Sequence, residues 1–386
     1  MKTIFIIFSL FLSLLLFGQH SNSVIIGKTT GTLPFLKYGL GEDRLGGTKL
    51  TYLDTNVVIT VVDSIRNDYK VQLSAGHVAY LPKQFFAKDD SILINPMHLS
   101  GSARVYGDEQ FDYVSLQMDA RLPYRSIQQV SPSKIMVDVF GLTINTNWIT
   151  QLPTAKTIKN FYYEQLEDDV FRMIIELKNE QHWGYSIFYN KNALVIKVKR
   201  PPQKLKVNNL VVLLDAGHGG TNTGAKGASG ILEKDYTLMI TKEIEKYFKR
   251  KNIEVHMTRQ MDTTMDMPQR ILFAQEINPD LLISIHLNSS SNKNVKGVST
   301  YYRHIGFKPV SAHILDRMLD LDLNNFGNIG GFNFSLNGPT DFNNCLLEVA
   351  FLSNKEDEQK ILDLRFHKKI SKQVYKGVKD WVKSMR

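Results

Sequence analysis

Cysteine is almost missing from this chain. Its 386 residues include one, Cys345, so an intrachain disulfide framework is excluded. Cys345 opens onto Leu346-Leu347, which predicts a buried structural thiol. After residue 17 no apolar run is long enough to span a bilayer, which argues against an integral membrane protein. No cysteine stands next to the apolar N-terminal stretch, which argues against a lipoprotein anchor. An H-E-x-x-H helix is also missing, and with it the usual zinc protease geometry. There is no internal repeat and no low-complexity tract. Acidic residues are the scarcer charge: 38 Asp and Glu stand against 47 Lys and Arg, a formal net charge of +9. That balance suits an anionic setting such as a cell wall, a membrane surface or nucleic acid, and equally a surface with excess lysine. Nucleic acid is disfavoured, because no basic-aromatic motif accompanies the charge.

The N-terminus reads Met1-Lys2-Thr3 and then an apolar run over residues 4–17. One positive charge before a short apolar run predicts a secretory signal peptide over residues 1–23, with the mature chain starting between His20 and Val24. An uncleaved anchor is the alternative. The reading implies an exported protein of the periplasm or cell envelope.

Two all-β regions follow. Residues 24–107 alternate in short segments such as Asn56-Val57-Val58-Ile59-Thr60-Val61-Val62 and Tyr69-Lys70-Val71-Gln72-Leu73, with a turn at Ser74-Ala75-Gly76 and a stop at Pro82. The pattern resembles a small SH3-like barrel. Residues 108–200 continue it with Tyr113-Val114-Ser115-Leu116, Lys134-Ile135-Met136-Val137 and Phe171-Arg172-Met173-Ile174, a spacing that predicts a β-sandwich. The aromatics Phe161, Tyr162, Tyr163, Trp183, Tyr185, Phe188 and Tyr189 fit either core packing or a sugar-stacking face.

Arg200-Pro201-Pro202-Gln203-Lys204 is a stiff basic linker. Beyond it, residues 205–386 alternate strands and helices, which predicts a layered α/β domain. Val211 to Leu214 is an apolar run that meets Asp215-Ala216-Gly217-His218-Gly219-Gly220. Tyr236, Ile240, Ile244 and Tyr247 mark a helix stripe, and Ile370, Val374, Val378 and Trp381 a second. Leu281 to His286 and Leu346 to Val349 read as further strands.

His218, His286 and Glu348 each follow or end an apolar strand. If those strands are neighbours and parallel, the three gather at one sheet edge. Glu233 follows a glycine-rich loop and opens a helix, so it can turn back toward His218. Two histidines and a carboxylate with one open position form a common catalytic zinc set. Asp215 reads either as a carboxylate that holds a ligand imidazole from behind or as a turn-forming acid.

The motifs Leu214-Asp215-Ala216-Gly217-His218-Gly219-Gly220, Gly224-Ala225-x-Gly227, Glu233-Lys234-Asp235, Thr258-Arg259-x-x-Asp262, Arg270, Ser284-Ile285-His286-x-Asn288 and Leu347-Glu348-Val349-x-Phe351-Leu352-Ser353-Asn354 occur in order. Together they resemble the zinc-dependent, AmiC-like N-acetylmuramoyl-L-alanine amidases. The resemblance covers residues 208–384. It implies a mixed sheet flanked by helices, with His218, Glu233 and His286 as zinc ligands and Glu348 as the catalytic carboxylate. The implied reaction cleaves the amide between N-acetylmuramic acid and L-alanine in peptidoglycan or muropeptides, in wall remodelling or daughter-cell separation. Whether a protein activator takes part is left open. The β-sandwich resembles the AMIN-like accessory domain of such amidases. Arg259 is expected to pair with Asp262. Gln275 and residues 336–345 depart from the family pattern, and that second segment is expected to border the substrate. The competing reading is an inert wall-binding or regulatory protein, which retention of all four site residues opposes.

Overall fold

The structure is a computed structural model that describes residues 24–41, 45–92, 95 and 97–385. The signal peptide expected over residues 1–23 lies outside the described residues. The apolar run after Leu210 forms the strand Val211–Ala216, and Leu281–Asn288 forms another whose first seven residues are all buried. A strand buried on both faces needs cover on both. Six strands make one sheet in the order Glu254–Met257, Val211–Ala216, Leu281–Asn288, Asn343–Phe351, Val298–Tyr301, Asn325–Ile329. The first four run parallel, and Val298–Tyr301 runs antiparallel to Asn343–Phe351, so the sheet is mixed.

Alternate side chains of these strands feed two layers. Val212, Leu214, Ile283, Ile285 and Leu347 join a core with Ile240, Ile244, Val310, Ile314, Val374 and Trp381, supplied by the helices Glu233–Lys249, Lys308–Met318 and Leu364–Ser384. Leu213 and Leu282 pack with Ile271, Ala274, Leu336 and Phe342, and Leu33 and Tyr52 of the first β region join them. The helix Met267–Ile277 on this side starts on a capping box between Asp266 and Gln269 and ends at Asn278 in the left-handed conformation. Two elements escape the sequence patterns. The strand Asn325–Ile329 contains two asparagines and a glycine, and the helix Lys355–Leu362 is short and mostly charged.

The N-terminal half is all-β as expected. Seven strands between Ile25 and Lys88 form one antiparallel sheet. A four-stranded and a six-stranded sheet follow. The strand His98–Gly107, assigned by the sequence to the first region, pairs with Phe111–Met118 and belongs to the second. The three residues between them form a tight hairpin, which forces neighbouring antiparallel strands. One continuous apolar core runs from Leu36 through Ile135 to Val198, so the two β regions share their interior. Phe161, Trp183, Tyr185 and Tyr189 are buried, and the packing reading of the aromatics holds for these four.

The linker is pinned at both sides. Arg200 pairs with the buried Asp112 at 2.7 Å, while Lys199 pairs with Asp280 at 3.1 Å and donates to the carbonyls of Asn278 and Pro279. Tyr185 and Thr340 exchange two hydrogen bonds of 2.7 Å across the same joint. Cys345 is fully buried, which pushes its thiol up to about 12, as suits a structural role. Among the described residues no helix is long and apolar enough to cross a membrane.

Among the described residues Trp381 is the largest fully buried side chain; it packs against Trp183 of the second β region and donates to Gln181 at 3.2 Å. Trp381→Ala is expected to lower stability by about 3–5 kcal/mol, and Trp381→Phe by less. Denaturant unfolding followed by circular dichroism measures both. A loss below about 1 kcal/mol for alanine would show that this joint contributes little.

Candidate metal centre

The site begins with a turn. After Val211–Ala216 the chain swings out through Gly217 to His218, which sits at φ +62°, a left-handed value that is uncommon outside glycine. Gly217 is required by contact, because a Cβ there would lie 2.5 Å from the His286 ring. Gly224 is required for the same reason, with a Cβ position 2.5 Å from Glu233 Oε2. These two positions let the loop close tightly around the cluster.

Parallel pairing brings the remaining groups together. Val211–Ala216 and Asn343–Phe351 flank Leu281–Asn288, and His286 stands directly opposite Glu348 in the register. Glu233 is the first residue of the helix Glu233–Lys249, where the N-terminal partial charge favours a carboxylate. Its Oε1 lies 3.0 Å from His218 Nε2 and 3.1 Å from His286 Nδ1. The backbone N–H of Leu287 donates to the same oxygen at 3.0 Å, and that of Ala225 donates to Oε2 at 2.7 Å. Asn222 Oδ1 lies 3.0 Å from His218 Nδ1, and as the acceptor of an N–H there it would leave Nε2 available to an ion beside Glu233. Sequence reasoning missed Asn222; its side chain lies four residues from the histidine it orients, in a loop without periodicity.

The ligand atoms of His218, Glu233 and His286 all lie within 4.8 Å of one another. Nitrogen and carboxylate ligands about 2.0–2.2 Å from zinc would stand roughly 3.3 Å apart, close to the 3.0 and 3.1 Å from Glu233 to the two imidazoles. The other ring nitrogen, His286 Nε2, is buried without a hydrogen-bond partner, a cost that a ligand reaching that atom would relieve. Burial draws His218 down, but the Glu233 carboxylate outweighs it and the imidazole is raised. Burial raises Glu233, and the two imidazoles more than reverse this, leaving it well below its usual range. The cluster is therefore a seat for positive charge, and its donor set fits zinc. Glu348 lines the same cavity, half-buried, and is not among the three clustered groups.

Asp215 does not hold an imidazole. It is fully buried and paired with Arg270 at 2.5 Å, and it accepts from the hydroxyls of Ser284 at 2.5 Å and Thr258 at 2.7 Å. Burial alone would raise its carboxyl; the Arg270 guanidinium and Ser284 hydroxyl hold it below the ordinary value. Arg270 also donates to the carbonyls of Ala216 and His218. Arg259 donates to those of Ala216, Gly217 and Lys234. Lys234, not Arg259, pairs with Asp262, because the Arg259 fork is used up on carbonyls. Gln275 is exposed and reaches Asp341 at 3.5 Å, away from the cluster. Within residues 336–345, Gly338 approaches Tyr52 and Thr340 binds Tyr185, so these positions meet the β regions; Phe332 and Phe334 line the cavity around the cluster instead.

Residues 212–380 match the family model described as N-acetylmuramoyl-L-alanine amidase, and residues 103–198 match the AMIN domain. The N-acetylmuramoyl-L-alanine amidase AmiC of Escherichia coli O6:H1 is 22% identical over 367 residues, covering 72% of this chain and 88% of its own. The germination-specific N-acetylmuramoyl-L-alanine amidase of Bacillus subtilis is 28% identical over 196 residues, covering 46% and 81%. Among solved structures, the catalytic domain of CwlV from Bacillus (Paenibacillus) polymyxa var. colistinus is 30% identical, with a TM-score of 0.43, covering 45% of this chain and 98% of that one.

Removing the Asp215 charge leaves Arg270 buried and uncompensated. Asp215→Asn is expected to cost about 3–5 kcal/mol, while the double variant Asp215→Asn with Arg270→Met recovers part of that loss. Thermal unfolding of the two singles and the double measures it. A single variant as stable as the parent would contradict the role given to this pair.

Proposed function

We propose that this chain, whose residues 212–380 belong to the N-acetylmuramoyl-L-alanine amidase family, works through a zinc centre built from His218, Glu233 and His286, with Glu348 as proton carrier. The chain is a peptidoglycan amidase: it hydrolyses the amide between the lactyl group of N-acetylmuramic acid and L-alanine. The observation that carries the site assignment is the pairing of His286 with Glu348 on adjacent parallel strands, with His218 and Glu233 closing the cluster beside them.

Held by His218, Glu233 and His286, a zinc ion would supply Lewis acidity for the scissile carbonyl and would lower the pKa of water to about 7. The residues do the rest. Asn222 fixes which nitrogen His218 offers, and the N–H groups of Leu287 and Ala225 hold the Glu233 carboxylate in place. Glu348 takes the proton of the attacking water on a carboxylate oxygen and returns it to the departing amine. An amide nitrogen leaves poorly unless protonated, so one carboxylate serves both halves of the reaction. The cavity of about 670 Å³ around these groups is of the size that encloses a muropeptide segment.

The β regions support an envelope role. The AMIN match and the relationship to AmiC suit a periplasmic or envelope protein. In this reading the first β region is an SH3-like unit and the second an AMIN-like sandwich, and one or both hold the enzyme on the wall. Retention of the full site favours the enzyme over an inert wall-binding protein.

Glu348→Gln keeps the shape of the side chain but cannot accept a proton. It is expected to retain zinc and fold while turnover falls by at least about 100-fold, with substrate binding little changed. His218→Ala and His286→Ala should lose zinc and activity together. Muropeptide release and metal content, measured on the same preparations, test both. Glu348→Gln active within a few-fold of the parent would remove Glu348 from the mechanism, and near-stoichiometric zinc in both histidine variants would overturn the ligand assignment.

A further inference from the structure

The catalytic cavity is not walled by the amidase domain alone. Its lining includes Phe332, Phe334 and, from the first β region, Leu45. Phe334 stands edge-on to the His286 ring, with centroids 5.5 Å apart, and stacks on Phe332 at 6.3 Å. Between these two rings Asn333 is buried and turns to the β region. Its Oδ1 accepts from the Lys49 backbone N–H at 3.1 Å and from Arg303 at 2.9 Å. Its Nδ2 donates to the carbonyls of Leu45 at 3.3 Å and Gly47 at 3.2 Å. All four hydrogen-bonding positions of one side-chain amide are thus in use. Arg303 also donates to the carbonyl of Lys49. Behind this clamp, Leu33 and Tyr52 pack with Phe334 and Leu336 against the sheet.

A residue nearly 290 positions away in sequence from Phe334 is therefore held beside the metal ligands by a fully bonded buried amide and an apolar contact. Loose tethering would need neither. We infer that the first β region is a fixed wall of the catalytic groove, and that it makes the enzyme favour slender substrates, soluble muropeptide fragments or uncross-linked strands, over cross-linked sacculi. This rests on the amidase reading. A wall on one side of the groove crowds the second glycan strand that a cross-linked peptide carries, and leaves a lone stem peptide unhindered.

The test uses the full chain with Leu45→Ala, Leu45→Trp and Asn333→Ala, each assayed for kcat/KM on a soluble disaccharide-peptide fragment and on cross-linked sacculi. The Leu45 side chain is only partly buried and its clamp bond uses the backbone carbonyl, so its variants are expected to keep the fold even if Asn333→Ala loosens it. Opening the wall with Leu45→Ala or Asn333→Ala is expected to raise the sacculus-to-fragment ratio about tenfold, and Leu45→Trp to lower it, the scale on which small steric changes discriminate substrates. Ratios within about twofold of the parent in both Leu45 variants overturn the wall. A parent that cleaves neither substrate overturns the amidase reading and the wall with it.

Discussion

The buried pair Asp215–Arg270 is the contact on which the site depends. The turn from Asp215 to His218 leaves the sheet with its carbonyls pointing inward, where water does not reach them. Arg270 meets those of Ala216 and His218, and Arg259 those of Ala216 and Gly217. Two buried guanidinium groups on carbonyls alone would be costly; Asp215 supplies the countercharge, and Ser284 and Thr258 occupy its remaining lone pairs. With the turn held, His218 adopts its left-handed backbone and meets Glu233. The pair thus acts on the chemistry through geometry, one step behind the residues that perform it.

Much of this was legible in the sequence because apolar runs have few alternatives. Four buried residues ending in a polar one read as an interior strand, and parallel neighbours bring such ends together. That reading gathers His218, His286 and Glu348 on one sheet edge. The turn at Glu233 was legible from the glycines ahead of it. What was not legible has no period. Asp215 satisfies an arginine 55 residues away, and no local pattern distinguishes that from an imidazole partner. Asn325–Ile329 pairs as an edge strand despite residues that disfavour strands, because Val298–Tyr301 offers it a ladder. Asn222, Phe332 and Leu45 acquire meaning from tertiary contacts alone.

The domain plan was also only half visible. The patterning along the chain predicted two β units and a layered α/β unit in series. The structure joins them more closely: one apolar core serves both β regions, and Leu33 and Tyr52 of the first complete a face of the catalytic sheet. A small helix and a short turn cannot cover Leu213 and Leu282 by themselves, so the first β region does part of that work. The same docking sets Leu45 at the groove. Stability of the catalytic sheet and access to its site are in this way tied to one surface.

The central claim is that His218, Glu233 and His286 hold a zinc ion on which hydrolysis of the muramoyl amide depends. The most direct test is to strip the purified full chain with a chelator, then titrate zinc back while following the appearance of a new L-alanine N-terminus on released stem peptides. The account predicts that stripped protein is inactive and that activity returns in proportion to zinc, saturating at one ion per chain. Unchanged release of L-alanine-terminated peptide by metal-free protein would contradict it.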